Sequence, residues 1–217
     1  MSAIQIKQRP FITCPELFQD IPAFIAEILA RRGVASTKEL ELKLKHLLAP
    51  SLKGLNEAIQ LMDAAIDQQH KIVIVGDYDA DGATSTALMI LALREMGAQV
   101  EYLVPDRFKY GYGLTPAIAD LAFTSFTPDL LITVDNGISS HDGVKQAQDH
   151  GMQVIITDHH LTTKPTPSAQ AVVNPNQLGC DFPSKALAGV GVAFYVLANL
   201  STYRKKLHKS SAVMSQY

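Results

Sequence analysis

The chain has 217 residues, enough to bury the core of one large domain or of a domain with an appendage. Its 19 lysines and arginines against 21 aspartates and glutamates give a formal charge of −2, which is not the basic balance of a simple nucleic-acid-binding protein. Cys14 and Cys180 are too few and too far apart for a disulfide framework, and they indicate a reduced compartment. The N-terminus has no apolar h-region and the longest apolar stretch, about 186–198, is too short to span a bilayer, so a cytoplasmic location is expected.

The first 70 residues predict a helical N-terminal segment. Residues 14–33 place apolar side chains at helical spacing and stop at Gly33. Residues 36–50 predict a second helix, with Ser36 as its cap and Glu39 as the capping-box partner. Residues 55–70 predict a third.

From Lys71 onward, short apolar strands alternate with helices. Strands are predicted near 72–76, 100–104, 130–134 and 153–157, and helices near 82–97, 115–123 and 139–150. This alternation predicts βαβ units and an α/β fold with a mostly parallel sheet and flanking helices. We expect that domain over residues 71–200, and a basic tail over 201–217.

Acidic or histidine-bearing turns follow three of the four predicted strands, in the sequences VGDYDADG, ITVDNG and ITDHH. Each turn alone is also ordinary turn or capping chemistry. Parallel strands present their carboxyl ends on one edge of a sheet, however, so the side chains of all three turns are expected to converge there. The converging residues are Asp77, Asp79, Asp81, Asp135, Asp158, His159 and His160.

An EF-hand calcium loop is one reading of the first turn, because D-x-D-x-D-G opens that pattern. Counting from Asp77, the twelfth position is Leu88 instead of the required glutamate. The preceding residues KIVIV also predict a strand, whereas an EF-hand loop follows a helix. The calcium-loop reading is therefore rejected.

Clustered carboxylates repel one another unless cations neutralise them. Carboxylates with an imidazole and no thiolate favour Mn²⁺ or Mg²⁺ over Zn²⁺ or Fe²⁺. This donor set exceeds the needs of one ion, so a site for two ions about 3.5 to 4 Å apart is expected, and such sites carry out phosphoryl hydrolysis.

The segments VGDYDADGATSTAL, PDRFKYGYGL, LLITVDNGIS and IITDHH resemble the motifs of the DHH phosphoesterase superfamily. Within it, GDYDADGATS, RFKYGYGL, VVNPNQ at 172–177 and LAGVGVAFYVL at 187–197 resemble the RecJ family of bacterial single-stranded-DNA-specific exonucleases. The likeness runs from about Glu39 to Leu200. It implies hydrolysis of single-stranded DNA from the 5′ end with Mn²⁺ or Mg²⁺, in DNA repair and recombination.

The resemblance also implies how the metals are held. Asp79 and Asp81 would serve opposite ions and Asp135 would bridge them. His159 would bind the ion that Asp81 holds, and Asp77 would be a ligand or the partner of one.

For the substrate, the resemblance places His160 beside the scissile phosphate, so that His160 and Asp135 are the expected catalytic residues. Asp158 would orient the site or ligate from the side. The loop with Arg107, Tyr110 and Tyr112 combines a cation with aromatic rings, as expected for holding a phosphate and a stacked base.

Members of this family continue into a second catalytic-half domain and an OB-fold, and carry a further aspartate in a GTVAD-like segment that does not occur before Tyr217. The chain is thus expected to be a truncated form. Its expected partners are single-stranded DNA and, by resemblance, a single-stranded-DNA-binding protein and a helicase. Two alternatives stay open: a DHH phosphodiesterase for small substrates (oligoribonucleotides, cyclic dinucleotides or pyrophosphate), and a non-catalytic remnant that binds nucleic acid.

Overall fold

A computed structural model describes residues 5, 7, 10, 21–41 and 43–217. The chain divides into two compact units, Met1–Leu48 and Ala49–Tyr217. In the first unit, α1 (Ala23–Arg31) confirms the described part of the first predicted helix, whereas residues 14–20 of that prediction lie outside the described residues.

The second predicted helix, over 36–50, is wrong. Two short 3₁₀ turns stand there, Thr37–Leu40 and Leu44–His46, and neither buries a side chain. Glu39 does accept a hydrogen bond from the backbone N–H of Ser36 at 3.0 Å, so the predicted cap begins a turn instead of a helix. Leu44 and Leu47 remain about half exposed, and a short amphipathic segment that buries no apolar face lacks the packing that stabilises a helix.

The second unit is an α/β domain. Its elements in chain order are α2 (Leu55–Asp67), β1 (Lys71–Gly76), α3 (Ala80–Glu95), β2 (Gln99–Leu103), α4 (Arg107–Tyr110), α5 (Pro116–Phe126), β3 (Leu130–Val134), α6 (His141–Asp149), β4 (Gln153–Thr157), β5 (Ala171–Val173) and α7 (Gly189–Lys206). The third predicted helix, the four predicted strands and the three helices between them are confirmed within a few residues. The strand β5 and the one-turn helix α4 are additions to the prediction, and residues 201–206, expected in the tail, are the last turns of α7.

The sheet is entirely parallel in its described residues, with the strand order β2-β1-β3-β4-β5. Alternate residues of β1 point to opposite faces: Ile72 and Ile74 pack with α2, α3 and α7, whereas Val73 and Val75 pack with α5 and α6. Both faces of the sheet are therefore covered by helices, as expected for parallel strands that are apolar throughout.

Buried charges hold α7 against α2. Arg204, only 2% exposed, donates to Asp63 and, at 3.0 Å, to Asp67. Lys209 donates to the second oxygen of Asp63 at 2.8 Å, and Ser201 donates to the carbonyl of Ala212 at 2.6 Å. The chain after α7 is thus tied back to the domain. Among the described residues, no helix is both long and apolar enough to cross a membrane.

Removing the buried cation should destabilise the domain. We expect Arg204→Met to lower the free energy of unfolding by about 3 kcal/mol, because it leaves the buried Asp63 carboxylate short of its partner. Urea denaturation followed by circular dichroism measures this. Lys205→Met, an exposed change on the same helix, is the control. Equal stability of the two variants would show that the ion pair is unimportant, and Arg204→Met combined with Asp63→Leu should recover most of the loss.

Candidate metal centre

The candidate site lies at the point where the strand order of the sheet reverses. The crossover after β1 leads outward to β2, and the crossover after β3 leads the other way to β4, so β1 and β3 are neighbours whose connections diverge. In parallel α/β sheets, ligands bind in the crevice at the carboxyl ends of such strands. Asp77 follows β1, Asp135 follows β3 and Asp158 follows β4. The predicted convergence of the three turns at one edge is therefore realised in the fold.

The turn after β3 is built to hold Asp135 in an unusual backbone conformation. Asp135 has a φ of 61°, which is uncommon for a residue other than glycine, and its N–H donates to the carbonyl of Thr157 at 3.0 Å. The buried side chain of Asn136 donates to the carbonyls of Val75 at 3.1 Å and Val134 at 2.9 Å, which ties the ends of β1 and β3 together. At Gly137 φ is 114°, so the D-N-G sequence is what this turn requires.

The Asp135 carboxylate is the most constrained group of the site. It is 1% exposed, and its Oδ1 has no hydrogen-bond partner among the described residues. His159 Nε2 lies 3.1 Å from that oxygen, but the pair is not aligned as a hydrogen bond. Burial, together with repulsion from Asp81 and Asp79, raises the pKa of Asp135 to about 7. A buried oxygen of this kind fits a cation, since a carboxylate without a partner is costly.

The carboxylates of Asp77 and Asp79 lie close to that of Asp135. Oxygen atoms of the three residues are within 4.8 Å of one another. Asp79 caps α3 by accepting from the N–H of Gly82 at 2.9 Å, and Asp77 accepts from the N–H of Tyr78 at 2.7 Å, so one oxygen of each is held in place. Burial, and then the charge of Asp79, raises the pKa of Asp77. Three oxygens so close together form a set of hard donors suited to Mg²⁺ or Mn²⁺.

A second group of candidate ligands contains Asp135, His159 and His160, with ligand atoms within 4.8 Å of one another, and Asp81 lies beside His159. The Nε2 atom of His159 is 3.6 Å from Asp81 Oδ2 and 3.1 Å from Asp135 Oδ1. Both oxygens of Asp81 also accept backbone N–H groups at the start of α7, from Gly189 and Val190, each at 2.7 Å. A negative charge is favourable at a helix N-terminus, so Asp81 joins the site to α7.

The D-H-H turn has one residue that orients the other two. Asp158 is 1% exposed and accepts from the N–H groups of Ile138 at 2.8 Å, His159 at 2.6 Å and His160 at 3.0 Å. It also binds Nδ1 of His160 at 2.7 Å. Burial alone would raise the pKa of Asp158, but the hydrogen bonds from His160 and Ile138 hold it below its usual value. The same contact raises the pKa of His160 and favours its charged form.

Two asparagines, missed as site residues in the sequence, hold the backbone of the D-H-H turn. Asn174 donates from Nδ2 to the carbonyl of His160 at 3.0 Å, and Asn176 donates to the carbonyl of His159 at 2.5 Å. Both follow β5, in the segment VVNPNQ that carried part of the family resemblance. Asn-Pro-Asn after a short apolar run is the signal that could have identified them.

Aromatic and cationic side chains stand beside the histidines. The hydroxyl of Tyr112 is 3.3 Å from Nε2 of His160, and burial raises the pKa of Tyr112. The guanidinium carbon of Arg107 lies 4.3 Å from the ring centre of Tyr78 and 5.7 Å from that of Tyr112. Tyr78 was not predicted for this role. Tyr110 packs instead against the core on the α5 and α6 face, so of the three predicted loop residues Arg107 and Tyr112 reach the site.

Comparison with known proteins identifies the family of the chain. Residues 71–216 match the family model described as "DHH family, N-terminal domain". The chain belongs to the DHH family. The α/β fold is therefore that of the superfamily that the motifs indicated.

Individual relatives are RecJ proteins, described as single-stranded-DNA-specific exonucleases. The chain is 46% identical to that of Escherichia coli over 202 residues, which are 92% of this chain and 35% of the relative. It is 54% identical to that of Haemophilus influenzae over 168 residues, 76% of this chain and 29% of the relative. The crystal structure of Thermus thermophilus RecJ in complex with Mn²⁺ matches with a TM-score of 0.65 and 33% identity, covering 83% of this chain and 25% of that one. The chain thus spans about a third of the length of the curated relatives it matches.

Gly189 should be necessary for the site because there is no room for a side chain. A Cβ added at Gly189 would lie 2.4 Å from Oδ1 of Asp135 and would displace either the carboxylate or α7. We expect Gly189→Ala to weaken Mn²⁺ binding at least tenfold by calorimetry. Gly191→Ala on the same helix is the control, because its Cβ would meet only the flexible side chain of Leu187. Equal Mn²⁺ affinity in the two variants would contradict the expectation.

Mn²⁺ binding should depend on pH through Asp135. Its pKa of about 7 means that the carboxyl is protonated below pH 7, where a proton competes with the cation, and ionised above it. Titrations at pH 6 and pH 8 should therefore give affinity about tenfold tighter at pH 8. His159→Gln should keep this dependence, since Asp135 remains. Loss of the dependence in His159→Gln would assign it to the histidine instead.

Proposed function

We propose that this chain is the catalytic part of a metal-dependent nuclease that hydrolyses phosphodiester bonds in single-stranded DNA from the 5′ end, in DNA repair and recombination. The observation that carries the proposal is that one buried carboxylate, Asp135, belongs to two groups of candidate ligands. Asp77 and Asp79 complete the first, and His159 and His160 complete the second, with Asp81 3.6 Å from His159. The similarity to RecJ exonucleases over 92% of the chain supports DNA as the substrate.

In this proposal two ions of Mn²⁺ or Mg²⁺ occupy the site. Asp77, Asp79 and Asp135 hold one, and Asp81, Asp135 and His159 hold the other. The bound ions supply an activated water nucleophile and neutralise the charge that develops on the phosphate oxygens. Asp158 binds no ion, because its oxygens are already occupied by backbone N–H groups and by His160.

The substrate is held by residues around the metal site. His160, whose pKa is raised by its hydrogen bond with Asp158, donates from its ring to an oxygen of the scissile phosphate. Arg107 contacts a neighbouring phosphate, and the rings of Tyr78 and Tyr112 offer faces on which a base can stack. Duplex DNA presents no unstacked base to these rings, which is the physical basis for preferring a single strand. A single-stranded-DNA-binding protein and a helicase are proposed partners on family resemblance alone.

The direct test is degradation of a 5′-phosphorylated, fluorescently labelled single-stranded oligonucleotide with Mn²⁺. It uses the chain alone and a chimera in which the chain replaces its matching 35% of the Escherichia coli relative. We expect the chimera to degrade the single strand but not the duplex of the same sequence. The chain alone should be slower, because a misplacement of about 1 Å costs about 10²-fold in rate and a facing domain fixes the strand.

Variants of the chimera separate the roles of two residues. His160→Ala should lower the rate about 10² to 10³-fold and leave Mn²⁺ affinity within about threefold, because it removes a donor to the phosphate. Asp135→Ala should abolish both the cleavage rate and Mn²⁺ binding. His70→Ala, far from the site at the start of β1, should change neither quantity. If His160→Ala lost metal affinity and rate equally, His160 would be a metal ligand. Cleavage of cyclic dinucleotides or pyrophosphate but not of oligonucleotides would favour a small-substrate enzyme.

A further inference from the structure

A segment without helix or strand joins two parts of the candidate metal centre. This segment, residues 174–188, follows β5 and leads into α7, and we call it the connector. Near its start, Asn176 donates to the carbonyl of His159 at 2.5 Å. Directly after its end, the first N–H groups of α7 hold both oxygens of Asp81. The connector therefore links His159 to Asp81, whose Nε2 and Oδ2 atoms are 3.6 Å apart.

The side chain of Lys185 closes the connector on itself. Its Nζ donates to the carbonyls of Pro175 at 2.6 Å and Cys180 at 2.8 Å. The carbonyl of Lys185 in turn accepts from Nδ2 of Asn176 at 3.3 Å, and the same Nδ2 holds His159. Carbonyls in a segment without a strand ladder need other donors, and an ammonium group forms stronger hydrogen bonds than a neutral donor. The contacts with Pro175 and Asn176 thus join Lys185 to the part of the connector that holds His159.

Other contacts hold the middle of the connector. Phe182 is 1% exposed and packs in the core with α2, α3 and α7. Lys53, which precedes α2, donates from Nζ to the carbonyl of Leu178 at 2.9 Å. These contacts attach the connector to the domain, whereas the hydrogen bonds of Lys185 join its first residues to a residue close to α7. The spacing between its two ends therefore depends on Lys185.

We propose that Lys185 is a positioning residue of the metal centre: by closing the connector, its ammonium group sets the spacing of His159 and Asp81 and thereby the affinity for the ion assigned to them. The inference rests on the proposed function, which assigns that ion. Lys185 acts through Asn176 at one end of the connector and through the start of α7 at the other.

The other ion provides an internal comparison. Asp77 and Asp79 are held by N–H groups of their own turn, from Tyr78 and Gly82, and not by the connector. The ion assigned to these two carboxylates should therefore respond little to a change at Lys185. A selective effect on one of two ions distinguishes positioning from a general loss of stability.

Calorimetric titration of this chain with Mn²⁺ tests the proposal. His159→Gln and Asp77→Asn identify the two binding events, because each removes a ligand assigned to one ion. We expect Lys185→Met to weaken the event that His159→Gln affects about tenfold, as for other groups that support a metal ligand, and to leave the other within about twofold. Lys185→Arg, which keeps a cationic donor, should recover most of the loss.

Lys53→Met is the matched control, because it removes an ammonium–carbonyl hydrogen bond from the middle of the same connector. It should change neither binding event. Circular dichroism checks that the variants are folded, and Lys185→Gln replaces Lys185→Met if the latter does not fold. Equal weakening of both events by the Lys185 substitution, or the same losses in Lys53→Met, would overturn the proposal.

A second measurement reports on His159 without metal. Nuclear magnetic resonance spectra of the chain with ¹⁵N-labelled histidine, recorded in EDTA, give the ring signal of His159, which His159→Gln identifies. We expect this signal to shift in Lys185→Met and to stay in place in Lys53→Met. An unshifted signal in Lys185→Met would contradict the positioning role.

Hydrolysis of bis(p-nitrophenyl) phosphate with Mn²⁺ by the unsubstituted chain separates these outcomes from failure of the proposed function. A selective loss of one Mn²⁺ binding event in Lys185→Met without hydrolysis would keep the role of Lys185 and remove the hydrolytic activity. Hydrolysis together with equal loss of both events would do the reverse.

Discussion

The burial of one carboxylate constrains the rest of this domain. Asp135 is almost fully enclosed, its Oδ1 lacks a hydrogen bond among the described residues, and burial, together with two more aspartates, raises its pKa. Such a group would be displaced toward water in most folds. Here it is held by a left-handed backbone and by the Asn136 side chain that links β1 to β3. The sheet thus holds the Asp135 carboxylate at the point where the strand order reverses, where a cation could bind it.

The helix α7 connects the site to the packing of the rest of the domain. Its first N–H groups hold both oxygens of Asp81, and its first residue leaves no space beside Asp135. Its last turns carry Arg204, whose ion pairs with Asp63 and Asp67 fix the helix against α2. Because a helix is rigid along its axis, the position of its N-terminus depends on contacts at its C-terminus. The site geometry and the stability of the domain therefore share the same element.

Much of this arrangement could be predicted from the sequence, because parallel topology sends every strand end to one edge. Apolar runs and the acidic turns after them were sufficient to place Asp77, Asp135 and Asp158 together. The contacts of Asp81 with Gly189 and of Asn174 and Asn176 with the D-H-H turn could not be predicted, since they join residues that only tertiary packing brings near. The helix predicted over 36–50 failed for the opposite reason. The predicted contact between Ser36 and Glu39 does form. The leucines of this segment stay exposed, however, so no tertiary packing stabilises a helix there.

Charge explains why the donors around the site fall into two classes. Carboxylates cluster where the strands end, so any anionic substrate is repelled unless cations neutralise them first. The cationic side chain of Arg107 lies outside that cluster, against the rings of Tyr78 and Tyr112. A phosphate at His160 would then lie beside the carboxylates proposed as metal ligands, with Arg107 nearby as a positive group. In the proposed function, metal binding would therefore precede productive substrate binding, because only a centre that holds cations could accept a negatively charged strand lying across it.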